Sequence, residues 1–356
     1  MTEPQRPVQT VTGPVDAAAL GVVLPHEHLF NDLSGCLVDP SFPFSSVLTD
    51  RTIEPSLQWA LRQDPYCSAD NVAPKDLSGV RGEALAFQGV GGGTIVDATG
   101  SAAIGRSPAH LVRLSRETGL HVVMSTGAYL EKFEGSRLTS HSVEELAEQI
   151  LRELRDGVGA EGEDDVVVRA GMIGEVGVSP DFTPGERTSL RAAALAQHES
   201  PGTAMNIHMP GWLRRGDEVL DIAVGEMGAD PAQISLAHSD PSGADLDYQR
   251  RLLDRGVWLE FDMIGLDISF PGEGVSPSIT DTADAVARLI DLGYGDQILL
   301  SHDLFLKQMW SSLGGGGFLL VPTVFLELLV ARGVDRARAQ QLITTNPQRY
   351  LGGAHS

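Results

Sequence analysis

The sequence is poor in lysine and cysteine and has no long apolar run. Only three of its 26 basic residues are lysines (Lys75, Lys132 and Lys307), against 48 carboxylates and a formal charge of −22. Nucleic acid and anionic membranes need a basic face on their partner, so this balance excludes both. Two cysteines, Cys36 and Cys67, cannot build a disulfide scaffold, and one bridge between them is neither required nor excluded. No uncharged apolar stretch approaches the roughly 18–20 residues that a bilayer crossing demands. The N-terminal stretch MTEPQRPVQTVTGPV lacks the basic-then-apolar pattern of a signal peptide, so the expected location is the cytoplasm. What is present, 42% hydrophobic and 21% charged residues in 356, suits a folded chain with a large core.

Short apolar runs alternate with longer amphipathic stretches. The runs are Gly21–Pro25, Thr94–Val96, Val122–Ser125, Val166–Ile173, Ala204–Ile207, Ile234–Ala237, Val257–Phe261 and Ile298–Ser301. Each has the length of a strand buried on both faces. Helical periodicity covers Pro108–Glu117, Val143–Asp156, Arg187–His198, Gly216–Met227, Leu246–Arg255 and Thr282–Leu292. Ser142 and Glu145 form a capping box, and Gly157, Gly256 and Gly293 stand at helix ends. The pattern predicts a (β/α)8 TIM barrel in one domain spanning 1–356, with a long insertion after the first strand at about 31–88. Such an insertion is a lid or pocket wall, or else a packed surface segment with one helix near Pro55–Arg62. The glycine clusters 89–93 and 314–317 lack the strand-to-helix setting of a phosphate cradle and read as turns.

The polar residues at the strand ends carry the chemistry. His26 and His28 flank Glu27 at the end of the first strand, and period-2 geometry points both imidazoles the same way. Glu175 ends the fourth strand, His208 the fifth, His238 the sixth and Asp303 the eighth. Each of these alone has an ordinary reading as a core histidine, a cap or an ion-pair partner. Together, at one mouth of a barrel, four imidazoles and two carboxylates make a set for zinc, cobalt, manganese or iron. The set is large enough for two divalent ions if one carboxylate bridges. His110, His121, His141, His198 and His355 fall on helices, loops or the tail and read as structural, while alternation turns His302 away from Asp303.

These ligands, at these strand ends, resemble the phosphotriesterase family of the amidohydrolase superfamily. The resemblance runs from Val8-Gln-Thr-Val-Thr-Gly-Pro-Val15 and Leu24-Pro-His-Glu-His-Leu29 through Gly93-Thr-Ile-Val-Asp-Ala-Thr99, Ile104-Gly-Arg106 and Ser125-Thr-Gly-Ala-Tyr129. It continues in Leu300-Ser-His-Asp-Leu-Phe305 and Thr345-Asn-Pro-Gln-Arg349. The resemblance implies a binuclear metal hydrolase acting on a small molecule, with a homodimer as the expected assembly. It assigns His26, His28 and Asp303 to one metal and His208 and His238 to the other, with Glu175 as bridge. In the family's phosphotriesterases and lactonases that bridge is a carboxylated lysine. No lysine lies on the fourth strand here, and Glu175, together with Leu259-Glu-Phe-Asp-Met-Ile-Gly265, looks like the branch of phosphotriesterase-related proteins.

A second departure concerns protons. The positions of the family's relay histidine and aspartate correspond to Met263 and Pro241, which leaves Asp240 as a substitute candidate. Tyr129 corresponds to a tyrosine lining the lactonase pocket, or else is a core tyrosine; Tyr129 and Met263 are the candidate substrate contacts. The expected reaction is attack of a metal-bridging hydroxide on the carbonyl of an ester, lactone or amide, with Asp303 as the catalytic proton carrier. Phosphotriester hydrolysis is the alternative activity, and a non-catalytic metal-containing binding protein the alternative class. Lys132 and Arg106 are expected near the mouth, as ligands for an anionic substituent or as solvated loop charges. No G-x-S-x-G occurs, which disfavours serine hydrolase chemistry.

Overall fold

The structure is a computed structural model and describes residues 6–162 and 166–353; His355 lies outside them. Eight parallel strands lie side by side in chain order: β1 Val22–Glu27, β2 Gly92–Asp97, β3 His121–Thr126, β4 Met172–Gly177, β5 Met205–His208, β6 Ile234–Leu236, β7 Trp258–Phe261 and β8 Ile298–Leu300. Helices follow each strand in turn: α1 Leu77–Gly89, α2 Pro108–Thr118, α3 Val143–Arg155, α4 Pro184–Glu199, α5 Gly216–Leu220, α6 Leu246–Leu253, α7 Ile279–Asp291 and α8 Leu326–Ala331. The sheet curls until β8 lies against β1, an almost closed (β/α)8 barrel.

Each apolar run supplies its strand, with one shift. The fourth strand begins at Met172 because Val167–Val168 pairs antiparallel with Val158–Gly159 instead. Two helices escaped the periodicity. Gly79 and Gly82 dilute the pattern of α1, and α8 follows a glycine run and Pro322. The C-terminal part of the expected 31–88 insertion is therefore the barrel's own first helix. The remainder is a chain of short turns, among them Pro55–Leu57 running into Gln58–Leu61.

The N-terminal end of the barrel is plugged. Val23, Val96, Val123, Met172, Trp258 and Leu299, each from a different strand, pack in one buried cluster with Tyr350. The Tyr350 hydroxyl lies 2.9 Å from Ser235 Oγ, which satisfies a polar group that would otherwise be stranded in that core. The C-terminal end is left open. No helix among the described residues is long and apolar enough to cross a membrane.

Two strands break register at their predicted ligands. β1 slips against β2 between Leu24 and Glu27, and β4 slips against β5 between Ile173 and Val176. Irregularities of this kind bend a strand and re-aim its side chains. Gly174 sits inside the second of them at φ +127°, and a Cβ there would meet Asn206 O at 2.4 Å. Glycine is required at that point.

Candidate metal centre

The six predicted ligands converge at the C-terminal mouth. His28 Nε2 lies 3.3 Å from Glu175 Oε1 and 3.2 Å from Asp303 Oδ1, and His26 Nε2 lies 3.7 Å from Glu175 Oε2 and from Asp303 Oδ1. The same Glu175 Oε2 also lies 3.0 Å from His208 Nδ1 and 3.7 Å from His238 Nε2. Glu175 thus stands between two histidine pairs, with His28 nearest its Oε1 and His26, His208 and His238 around its Oε2. Donor atoms of His26, His28 and Glu175 lie within 4.8 Å of one another, and so do those of Glu175, His208 and His238. His238 and Asp303 hold left-handed backbone conformations, at φ +55° and +50°, the kind of strain that collects at functional sites.

Neighbouring groups orient the imidazoles. The carboxylate of Asp97 accepts the Thr99 hydroxyl at 3.1 Å, so His28 Nδ1 must donate to Thr99 Oγ1 at 3.0 Å. His238 Nδ1 donates to Asp262 Oδ1 at 2.9 Å. In both rings the proton is held on Nδ1 and the Nε2 lone pair faces the cluster, as metal ligation requires. Both ring nitrogens of His26 are buried with no hydrogen-bond partner, and its Nδ1 stands 3.5 Å from Glu260 Oε2 and from Asp262 Oδ2. Glu260 accepts from Asn206 and from Ser235, and it forms a buried acidic layer beneath the ligands.

The electrostatics show what the cluster needs. Burial alone would lower the imidazole pKa, yet His28 is pushed up to about 9 by Asp303 and Glu175, and His26 to about 10 by Glu260, Asp262 and Glu175. Burial likewise opposes ionisation of Glu175, but His208, His238 and His28 hold it well below the usual carboxylate range. Without another cation, the buried carboxylates draw protons onto the histidines. Unpaired buried nitrogens, fixed tautomers and a surplus of negative charge fit divalent metal ions held by these six residues.

A cavity of about 630 Å³ opens over the cluster. Its wall is mostly apolar and includes Tyr66, Phe133, Trp212, Phe270 and Phe305, with Tyr129 and Met263 where substrate contacts were expected. Leu33, Cys36 and Tyr66 belong to the segment after β1, so that segment is a pocket wall. The Tyr129 ring stands edge-on to His208 at 5.0 Å between centroids.

Residues 6–351 match the phosphotriesterase family. The chain belongs to that family. An N-acetyltaurine hydrolase from Danio rerio is 32% identical over 356 residues, with 99% of each chain covered. The crystal structure of a resiniferatoxin-binding protein from Rhodobacter sphaeroides superimposes with a TM-score of 0.91 at 41% identity, over 99% of this chain and 97% of that one. A variant of a Deinococcus radiodurans PTE-like lactonase follows at a TM-score of 0.73 and 29% identity, over 97% of this chain and 100% of that one.

Against this family background, two expectations change. Arg106 is neither a mouth residue nor a solvated charge: it is half-buried behind β3, bidentate to Glu153 at 2.6 and 3.0 Å and donating to Gly100 O and Ser125 O. Asp240 is committed elsewhere, accepting the backbone N–H groups of Asp262 and Met263 and the Thr282 hydroxyl. Burial, then the charge of Asp262, push its carboxyl up to about 7. His302 does turn away from the cluster, between Glu27 and the Val321 N–H. The partners that ligand spacing did not reveal are Glu260 and Asp262. Their alternation at the end of β7 was a signal for two carboxylates facing one side, but only the barrel's closure brings them to His26 and His238.

Proposed function

We propose that the chain is a metal-dependent hydrolase of carboxylic esters, lactones or amides bearing a bulky, uncharged, apolar group. The observation that carries this reading is the convergence of six metal-type ligands beneath a large apolar cavity. His26, His28 and Asp303 would hold one divalent ion and His208 and His238 a second, with Glu175 between them. Zinc is the first choice, with cobalt, manganese and iron as alternatives. Such ions supply a polarised substrate oxygen and water acidified to near neutral pH.

The chain's own groups do the rest. Asp303 touches the His28 edge of the cluster and also lines the cavity, so its carboxylate can take a proton at the floor and return it to a leaving group. Tyr129, Met263 and the aromatic wall hold the apolar part of the substrate and exclude water from the reacting carbonyl. Among the described residues Lys132 is the only lysine or arginine in the lining, against Glu131, Asp181, Glu186 and Glu273. That balance favours neutral substrates over anions.

Likeness to the resiniferatoxin-binding protein favours one other reading, a binding protein for a large apolar molecule. Metal analysis followed by a screen of lactones, aryl esters, N-acyl amides and paraoxon separates the two. The hydrolase reading expects two ions per chain and turnover of a carboxyl class that Asp303→Asn abolishes. Metal-loaded protein inert to every class would overturn it.

A further inference from the structure

We infer that Glu27, the residue between the two histidines of β1, is the positioning residue for Asp303. The inference rests on the metal-centre reading above.

The barrel has a weak seam at this point. Among the described residues no regular strand pairing joins β8 to β1, although the two strands lie side by side and carry His26, His28 and Asp303 between them. Side chains close the seam instead. Strand alternation turns Glu27 away from its two neighbours, and its fully buried carboxylate grips the chain that leaves β8. Oε1 accepts from Ser301 Oγ at 2.9 Å, His302 N at 3.0 Å and His302 Nδ1 at 2.8 Å, and Oε2 accepts Leu304 N at 2.9 Å. The backbone amides on both sides of Asp303 therefore end on one carboxylate.

That grip accounts for the conformation of Asp303. Aspartate at φ +50° is unfavourable unless the surroundings hold it there. Pinning residues 302 and 304 outward leaves residue 303 to point the opposite way, toward His28. Four further bonds complete the clasp. Asp303 N donates to His26 O at 3.3 Å, and Ser301 Oγ accepts His26 N at 3.1 Å. Lys75 Nζ, buried above the seam, donates to His28 O and Leu304 O at 2.6 Å each. One acidic side chain on the outer face of β1 thus sets the ligand on the inner face of the seam.

The test compares metal binding in purified full-length variants by zinc and cobalt titration. Glutamine at position 27 keeps the size but offers one acceptor oxygen and sets an NH2 group against N–H donors. Glu27→Gln should weaken one of the two ions by about 10–100-fold and leave the other as tight as in the unmodified chain. The cobalt absorption spectrum that remains should match that of Asp303→Asn, and adding Glu27→Gln to Asp303→Asn should weaken binding no further. Glu83→Gln is the control. Glu83 also clasps a loop, accepting from Ser311 N, Ser311 Oγ and Ser312 N away from the ligands. Its loss should lower the melting temperature while both ions stay tight. Should Glu27→Gln fail to fold, Ser301→Ala removes two of the seam's bonds and must show the same selective weakening. Folded Glu27→Gln, or Ser301→Ala in its place, holding both ions at unmodified affinity would overturn the inference and leave the metal-centre reading intact. An unmodified chain that binds no divalent ion would overturn both.

Discussion

Asp262 Oδ1 accepts the Nδ1 proton of His238 at 2.9 Å, and the same carboxylate takes the His238 backbone N–H at 3.0 Å. One acidic side chain thereby sets the tautomer, the ring orientation and the left-handed backbone of a candidate ligand. The backbone of Asp262 is held in turn from behind, where Asp240 accepts the Asp262 N–H at 3.1 Å.

Replacing that carboxylate tests the arrangement. Asp262→Asn is expected to weaken an ion at His208 and His238 by about 10–100-fold, and an ion at His26 and His28 less, since Asp262 only stands 3.5 Å from His26 Nδ1. Isothermal titration with zinc would show it, and unchanged affinity would remove Asp262 from the site's support.

Glu175 stands between the two halves of the cluster, so its loss should be felt in both. Glu175→Ala is expected to bind fewer than two ions per chain by elemental analysis; full retention of both would refute the bridge. Stripping metal with a chelator should lower the melting temperature of the unmodified chain, since an ion bound only by the folded state adds to its stability. Glu175→Ala should show a smaller drop on the same treatment.

Lys132 is exposed at the cavity rim, with its ammonium 5.1 Å from the Phe133 ring centroid. Lys132→Ala should leave kcat/KM for neutral esters or lactones unchanged. For a matched substrate carrying a carboxylate or sulfonate, KM should rise about two- to fivefold, the worth of one exposed charge contact. An equal effect on both substrates would remove the charge-selective role.

The Arg106–Glu153 pair, displaced from the mouth by the structure, becomes a stability element. Burial pushes the Glu153 carboxyl up, but Arg106 and the Thr126 hydroxyl overcome that and hold it below its usual value of 4.5. A depressed carboxyl stabilises the fold above pH 4.5, and that contribution fades as pH falls through the folded-state value. Glu153→Gln should cost about 2–3 kcal/mol at pH 7. In urea unfolding, the gap to the unmodified chain should narrow below pH 4.5. A gap independent of pH would mean that packing, not charge, is what Glu153 contributes.

Much of the fold was legible because it is periodic. Strands buried on both faces read as short apolar runs, and eight of them alternating with amphipathic stretches leave few topologies open. The ligands were legible for a related reason: strand C-termini of a parallel barrel share one mouth, so residues distant in the chain are placed together by position alone. Arg106 misled because a loop arginine next to a motif looks the same whether its partner is solvent or a glutamate on α3. α1 was hidden by its own glycines, which lower helix propensity but are tolerated once the helix packs on the barrel.

The amino-acid sequence by itself determined the barrel, the six candidate ligand positions and the glutamate between them, since no lysine stands on β4 in place of Glu175. These follow from local periodicity and from which side chains exist at all. Tertiary structure alone decided the rest: the register breaks in β1 and β4, the turn of Glu260 and Asp262 beneath the histidines, the clasp of Glu27 on the exit from β8, and the apolar wall of the cavity. Each depends on contacts between segments far apart in the chain, whose free energies no single stretch of residues encodes.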